Sequence, residues 1–233
     1  MIIKSKKQSL VSSFQILNVN IFFVRSALGY LLIDTGIPGQ ERRIQAAFKH
    51  YNIDPKSVSH IILTHGHLDH IGCLAYAREL SGAEVICHRS YVEKLAGGEY
   101  ETAVPRSLFW KIFNRPVSWL LHTKLSPVTP DILFDKELSL DEYGIQGKII
   151  HTPGHSPGSC SIILGNGEAL IGDLVRKNRF GKIDTGLFFD DRDHIFESLE
   201  KIADLNPATI FSSHGGIIRE VSRLFPQSFE LPN

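Results

Sequence analysis

The segment "LTHGHLDHIG", residues 63–72, puts three histidines and an aspartate, His65, His67, Asp69 and His70, into six consecutive positions. Imidazole and carboxylate bind zinc at about 2.0–2.2 Å. His65 and His67 are two apart, so from an extended segment their side chains point the same way. Asp69 and His70 follow as the chain turns into a helix expected from Ile71. Four donors on one tight turn crowd a single ion but serve two neighbouring ions, so the pattern H-x-H-x-D-H points to a two-metal site. Gly66 leaves the backbone room to turn there.

One turn does not close two coordination spheres, so further ligands must come from elsewhere, again at strand ends. Three segments meet that condition: "HTPGHSPGS" (151–159), "LIGD" (170–173) and "SSHGG" (212–216). Each follows or ends an apolar strand, is bounded by glycine or proline, and offers one clear ligand: His155, Asp173 and His214. His151 lies before its turn and ranks behind His155. His50, His60, His88, His122 and His194 read, with His151, as hydrogen-bonded structural groups. Cys160 opens a strand and reads as buried.

The flanking pattern is α/β. Short apolar runs at 13–18, 20–25 and 30–34 read as a strand meander, and 59–64, 84–88, 147–152, 160–165, 168–173 and 208–213 as further strands. Apolar residues at helical spacing predict helices at 40–51, 71–82, 191–205 and 215–225. Residues 89–135, with both tryptophans, separate the strand-rich halves. They read as a helical apolar insertion, serving as a packing element, a lid over a pocket or a dimer contact.

The 233 residues are 42% hydrophobic and 21% charged, ordinary for a globular chain, and are read as a single domain. Lysine and arginine number 25 and so do aspartate and glutamate, so there is no basic excess to draw in nucleic acid. Three scattered cysteines, Cys73, Cys87 and Cys160, do not form a disulfide framework and fit a reducing, cytoplasmic setting. No run of 18 apolar residues suggests a membrane span.

With Asp34 of "IDTG" added, these motifs resemble, in order and rough spacing, the metallo-β-lactamase-fold hydrolase superfamily along nearly the whole chain. The resemblance implies a four-layer αβ/βα sandwich with metals at one rim. It implies that His65, His67 and His155 hold one cation, that Asp69, His70 and His214 hold the other, and that Asp173 bridges them. It implies two divalent ions, zinc first, with iron or manganese as alternatives. A metal-bridging hydroxide would attack a carbonyl carbon, with Asp69 accepting or passing the proton and Asp34 and Thr35 orienting the histidine turn.

The family hosts many reactions. Zinc β-lactamases of the best-known class carry cysteine where this chain has Asp173, which argues against that activity. Asp173 looks like the glyoxalase II, lactonase and phosphodiesterase branches. The insertion at 89–135 is similar in position and character to that of acyl-chain lactonases, although no tyrosine lies between His155 and His214, where those enzymes place one. The expectation is a hydrolase of a small ester, thioester or lactone with an apolar part. The alternatives are a phosphodiesterase, a mononuclear iron sulfur dioxygenase and a non-enzymatic metal- or ligand-binding module.

Overall fold

The computed structural model describes residues 9–102, 124–178, 180–186 and 188–219. Strands β1 (Val11–Ile16), β2 (Val19–Ser26) and β3 (Gly29–Ile33) form the antiparallel meander, and β4 (Val58–Ile62), β5 (Glu84–His88) and β6 (Ile132–Phe134) add to it in parallel, in the order β1-β2-β3-β4-β5-β6. A second sheet holds β7 (Glu137–Ser139), β8 (Gly147–His151), β9 (Cys160–Leu164), β10 (Glu168–Leu170) and β13 (Thr209–Phe211), in the order β13-β10-β9-β8-β7. A two-stranded ribbon, β11 (Arg176–Lys177) and β12 (Ile183–Asp184), stands apart from both.

Side-chain alternation explains the layers. Successive strand residues point to opposite faces, and here both faces are apolar. On β2, Ile21 and Phe23 join one core while Phe22 and Val24 join another, and on β4 Ile61 and Ile62 divide the same way. The first core takes Ile44, Ala47 and Phe48 from helix α1 (Glu41–Tyr51). The middle core packs sheet on sheet, with Leu31, Ile33 and Ile86 facing Ile149, Ile162, Leu170 and Phe211. A third core sets Ile150, Ala169 and Ile210 against Ile195, Leu199 and Ile202 of a long helix at Arg192–Asp204. Helix, sheet, sheet and helix make the four-layer αβ/βα sandwich.

Several elements differ from the sequence expectation. The helix expected over 71–82 is two pieces, α2 (Leu68–Ile71) and α3 (Leu74–Ser81). Gly72 lies between them, its N–H donating to Gly36 O at 2.8 Å, and a Cβ there would lie 2.2 Å from Pro38. Asp69 and His70 therefore sit inside a helical turn rather than ahead of one. Strand β10 stops at Leu170, which leaves Asp173 in the turn beyond it. In the region expected to be a helix over 215–225, Ile218 instead exchanges backbone hydrogen bonds with Ile210 of β13 at 2.8 and 2.9 Å, so this part extends the sheet. The rest of that expected helix lies outside the described residues.

Within 89–135, a 3-10 turn at Arg89–Tyr91 leads into α4 (Val92–Gly97), and β6 joins the first sheet. The aromatic stretch 103–123 lies outside the described residues, as does His122. The helix at Arg192–Asp204 is α5. No helix among the described residues is long and apolar enough to cross a membrane.

All three cysteines are free and buried, and burial pushes the Cys73 thiol up to about 11 and Cys87 up to about 12. Thiolate is the reactive form. A thiol reagent at neutral pH is expected to leave the folded protein unmodified and to titrate all three groups once denaturant is added. Fast labelling of the native chain would contradict this packing.

Candidate metal centre

Strand direction explains why distant segments meet. Strands β3 and β4 run parallel, and the segments that follow them carry Asp34 and the 65–70 cluster. Strand β10 is parallel to β13, and β8 and β10 are both antiparallel to β9. Thus β8, β10 and β13 share one direction, and the segments after them carry His155, Asp173 and His214. Every sequence-predicted ligand reaches one rim.

The donors gather into trios. His65, His67 and His155 form one and Asp69, His70 and His214 another, with potential ligand atoms within 4.8 Å of one another in each; His65, His70 and Asp173 link the two. Asp173 stands between them, its Oδ2 3.6 Å from His155 Nε2 and 3.1 Å from His214 Nε2, its Oδ1 3.6 Å from His70 Nε2. His214 Nε2 is 3.2 Å from Asp69 Oδ2, and His67 Nδ1 is 2.9 Å from His155 Nε2. Ligand atoms at the corners of a tetrahedron with bonds of about 2.0–2.1 Å are about 3.3–3.4 Å apart. The observed spacings bracket that value.

The donor atoms are also aimed. Buried polar groups almost always find partners, yet His65 Nε2, His70 Nε2 and Asp173 Oδ1, all on the side of the trios, are buried without a hydrogen bond. The opposite nitrogens of three rings are engaged. His70 Nδ1–H donates to Asp34 Oδ2 at 2.8 Å, and His214 Nδ1–H donates to Asn18 O at 2.7 Å. Thr64 Oγ1 gives its one proton to Asp34 Oδ2 at 2.7 Å, so His65 Nδ1–H donates to Thr64 Oγ1 at 3.0 Å. In each case the outer acceptor holds the Nδ1 proton and turns Nε2 toward the centre, where it can ligate once deprotonated. The donor set fits divalent cations.

Asp34 and Thr35 are fully buried behind this turn. Asp34 also accepts Thr64 N–H at 2.8 Å, and Thr35 N–H and Oγ1–H both donate to His70 O, at 2.7 and 3.0 Å. Asp34 adopts a left-handed φ of 58°, which aspartate tolerates better than most residues.

The electrostatics separate the trios. Burial, reinforced by neighbouring imidazoles, holds His65 well below its ordinary value and takes His67 down to about 3, so both are neutral and ready to ligate. Burial likewise lowers His155. Burial also opposes charge on His70 and His214, but Asp173 and Asp69 outweigh it and push His214 up to about 10. Burial raises Asp69 and Asp173 in turn, but His70 and His214 win and keep both below the usual carboxylate range. Without a metal, protonated imidazole supplies the positive charge that the two carboxylates demand.

A cation at that position must displace the His214 proton below about pH 10. Apparent zinc affinity should therefore rise with pH and fall as pH drops, by up to about a hundredfold per unit where His70 and His214 each give up a proton to the cation. Isothermal titration in buffers of different ionisation heat reads both the affinity and the released proton. A flat profile would contradict the proton's placement.

Above the trios opens a cleft of about 210 Å³, lined by His67, Asp69, His155, Asp173 and His214 and walled by Asn18, Arg176, Thr185, Gly186 and Phe188. The second group has no metal-motif spacing, and sequence reasoning missed it. Arg176 Nε donates to Asp184 Oδ1 at 2.7 Å across the β11–β12 ribbon. His88 and His151 stack at 4.4 Å away from the trios, and His60 lies 3.4 Å from Glu84, as structural readings expect.

Comparison with known proteins agrees with this geometry. "Probable metallo-hydrolase YflN" of Bacillus subtilis is 28% identical, with 84% of this chain and 80% of its own length covered. A counterpart described as "Probable metallo-hydrolase MJ0888", of Methanocaldococcus jannaschii, is 31% identical over 80% of this chain and 83% of its own. The crystal structure of the B3 metallo-beta-lactamase BLEG-1 superposes with a TM-score of 0.66 at 21% identity, covering 91% of this chain and 95% of that one, a likeness of fold alone. The sequence profile of the metallo-beta-lactamase superfamily matches residues 15–214, and the chain belongs to that superfamily.

Proposed function

We propose that this protein is a binuclear, zinc-dependent hydrolase of a small ester, thioester or lactone. One observation carries the reading: two donor trios flank a single carboxylate, Asp173, with unpartnered donor atoms turned inward. His65, His67 and His155 would hold one cation, Asp69, His70 and His214 the other, and Asp173 would contact both. When bound, divalent cations supply Lewis acidity and bring the pKa of water in the cleft toward neutrality.

The chain's own residues supply the rest. Asp69 is the most open member of its trio, with about a third of its side chain exposed, and it is ionised. It is placed to take the proton released as the substrate carbonyl is attacked and to return it to the leaving oxygen or sulfur. Phe188 offers apolar surface to the non-reacting part of the substrate, and Thr185 a hydroxyl in the same wall. The three unpaired thiols support a reducing, cytoplasmic setting.

A phosphodiester is the second reading, favoured by the Arg176 guanidinium in the cleft wall, which matches phosphate geometry. The test is steady-state turnover by the zinc-loaded protein of a nitrophenyl ester, a thioester, a lactone and bis-nitrophenyl phosphate. The expected result is turnover of one or more of the carbonyl substrates, abolished by a chelator. Turnover of the phosphate alone would replace the first reading with the second.

A further inference from the structure

Tyr91 is fully buried, 1% exposed, and among the largest such side chains in the protein. It closes the 3-10 turn after β5 and belongs to neither metal motif. Its ring lies between two glycines on two different loops. A Cβ on Gly66 would come within 2.7 Å of Tyr91 Cδ1 and 2.8 Å of Cε1. A Cβ on Gly158 would come within 2.7 Å of Cε2 and 2.8 Å of Cζ, on the opposite edge. Neither glycine has the positive φ that would call for glycine on backbone grounds. The ring fills the space that a side chain on Gly66 would need, and at Gly158 it shares that role with Ser90 Oγ.

Those loops are the two that carry the first trio. Gly66 separates His65 from His67, and Gly158 lies three residues after His155. The Tyr91 hydroxyl pairs with Ser156 Oγ at 2.7 Å, next to His155, and Ser156 Oγ pairs with Ser159 Oγ at 2.8 Å. Ser156 and Ser159 are both buried. The three rings meet edge-on, with centroids 4.6 Å apart for His65–His67 and 4.7 Å for each of His65–His155 and His67–His155. The other trio takes its placement from different anchors. His70 is held by Asp34 and Thr35, and His214 by Asn18.

We infer that Tyr91 is a positioning residue for one cation only: its ring spaces the 65–67 turn from the 151–160 loop, and its hydroxyl pins the latter, so that His65, His67 and His155 meet at ligand distance. This rests on the two-cation reading above. Removing a group that orients a metal ligand typically weakens metal binding about 10–100-fold, and here the loss falls on one position. A residue that served only the core would weaken both positions together.

The test is competition between the zinc-loaded protein and a chromophoric chelator, which resolves two release steps. His155→Ala and His214→Ala identify which step belongs to which trio. Tyr91→Leu should weaken the step lost in His155→Ala by about 10–100-fold and leave the other as in the wild type. Tyr91→Phe should shift the same step by less. Gly66→Ala, which drives a methyl into the ring, should weaken that step too, and Gly66→Ala combined with Tyr91→Leu should bind more tightly there than Gly66→Ala alone. Should Tyr91→Leu not fold, Tyr91→Phe and Gly66→Ala decide. Equal weakening of both steps, or an unchanged His155 step in the folded variants, overturns the inference while leaving the two-cation reading intact. A wild-type protein that takes up no zinc overturns both.

Discussion

On the proposed two-cation reading, Asp173→Ala is expected to strip the protein of bound zinc and to lower turnover of the substrate identified above by about 10³-fold or more, several kcal/mol of lost transition-state stabilisation. The carboxylate contacts His155 on one side and His70 and His214 on the other. Among the described residues it is the carboxylate that reaches nitrogens of both trios. Its loss would leave each trio short of a ligand and place His155, His70 and His214 around a space with less negative charge. His67→Ala is the graded comparison, because it removes one ligand from one trio. Elemental analysis of dialysed protein with kcat measured on the same samples gives both readouts. An Asp173→Ala protein that keeps its metal content and its rate would show that the ligand assignment is wrong.

The second large effect is on stability. Asp34→Ala should destabilise the metal-free protein by about 3–5 kcal/mol, as measured by chemical denaturation. Asp34 is fully buried and accepts from three donors, Thr64 N–H, Thr64 Oγ1–H and His70 Nδ1–H. Alanine keeps the left-handed φ of 58° and leaves all three donors without an acceptor away from water. Asp34→Asn keeps one acceptor oxygen and the residue type that best tolerates that backbone, so it should fall between. Zinc affinity should drop alongside, since His70 then loses the partner that sets its tautomer. A change below about 1 kcal/mol would mean that water replaces the carboxylate and that the turn holds its shape unaided.

The histidines and carboxylates that the fold gathers at one rim could be read along the chain as candidate donors because ligand chemistry leaves a local trace. A dense H-x-H-x-D-H turn, and glycine- or proline-bounded turns closing apolar strands, are legible without any knowledge of neighbours. The mixed α/β class was legible from apolar runs and helical spacing, whereas the four layers were only implied by the resemblance and came from the packing of both faces of strands such as β2 and β4. Short elements were not. Strands β6, β7, β11 and β12 have two or three residues each, too few for a periodic signal, and form because a neighbouring strand offers hydrogen bonds. Residues 215–219 have a helix-like pattern, but Ile218 pairs with Ile210 of β13 and Gly215 with Lys177 of β11, where open strand edges outweigh weak local propensity.

What aims the donors is non-local. The acceptor behind His214 is Asn18, 196 positions away, and the hydroxyl against Ser156 belongs to Tyr91, 65 positions away. Gly66 read as a bend in the backbone; the fold gives it a different reason, a tyrosine ring that leaves no room for a methyl. Arg176, Thr185 and Phe188 carry no motif and became cleft wall because a small ribbon closes over the rim. Composition and spacing specify which groups a chain can offer a cation. Only packing between distant segments selects the nitrogen each ring presents and the wall a substrate meets, because these depend on side-chain contacts made across the sandwich rather than along the chain.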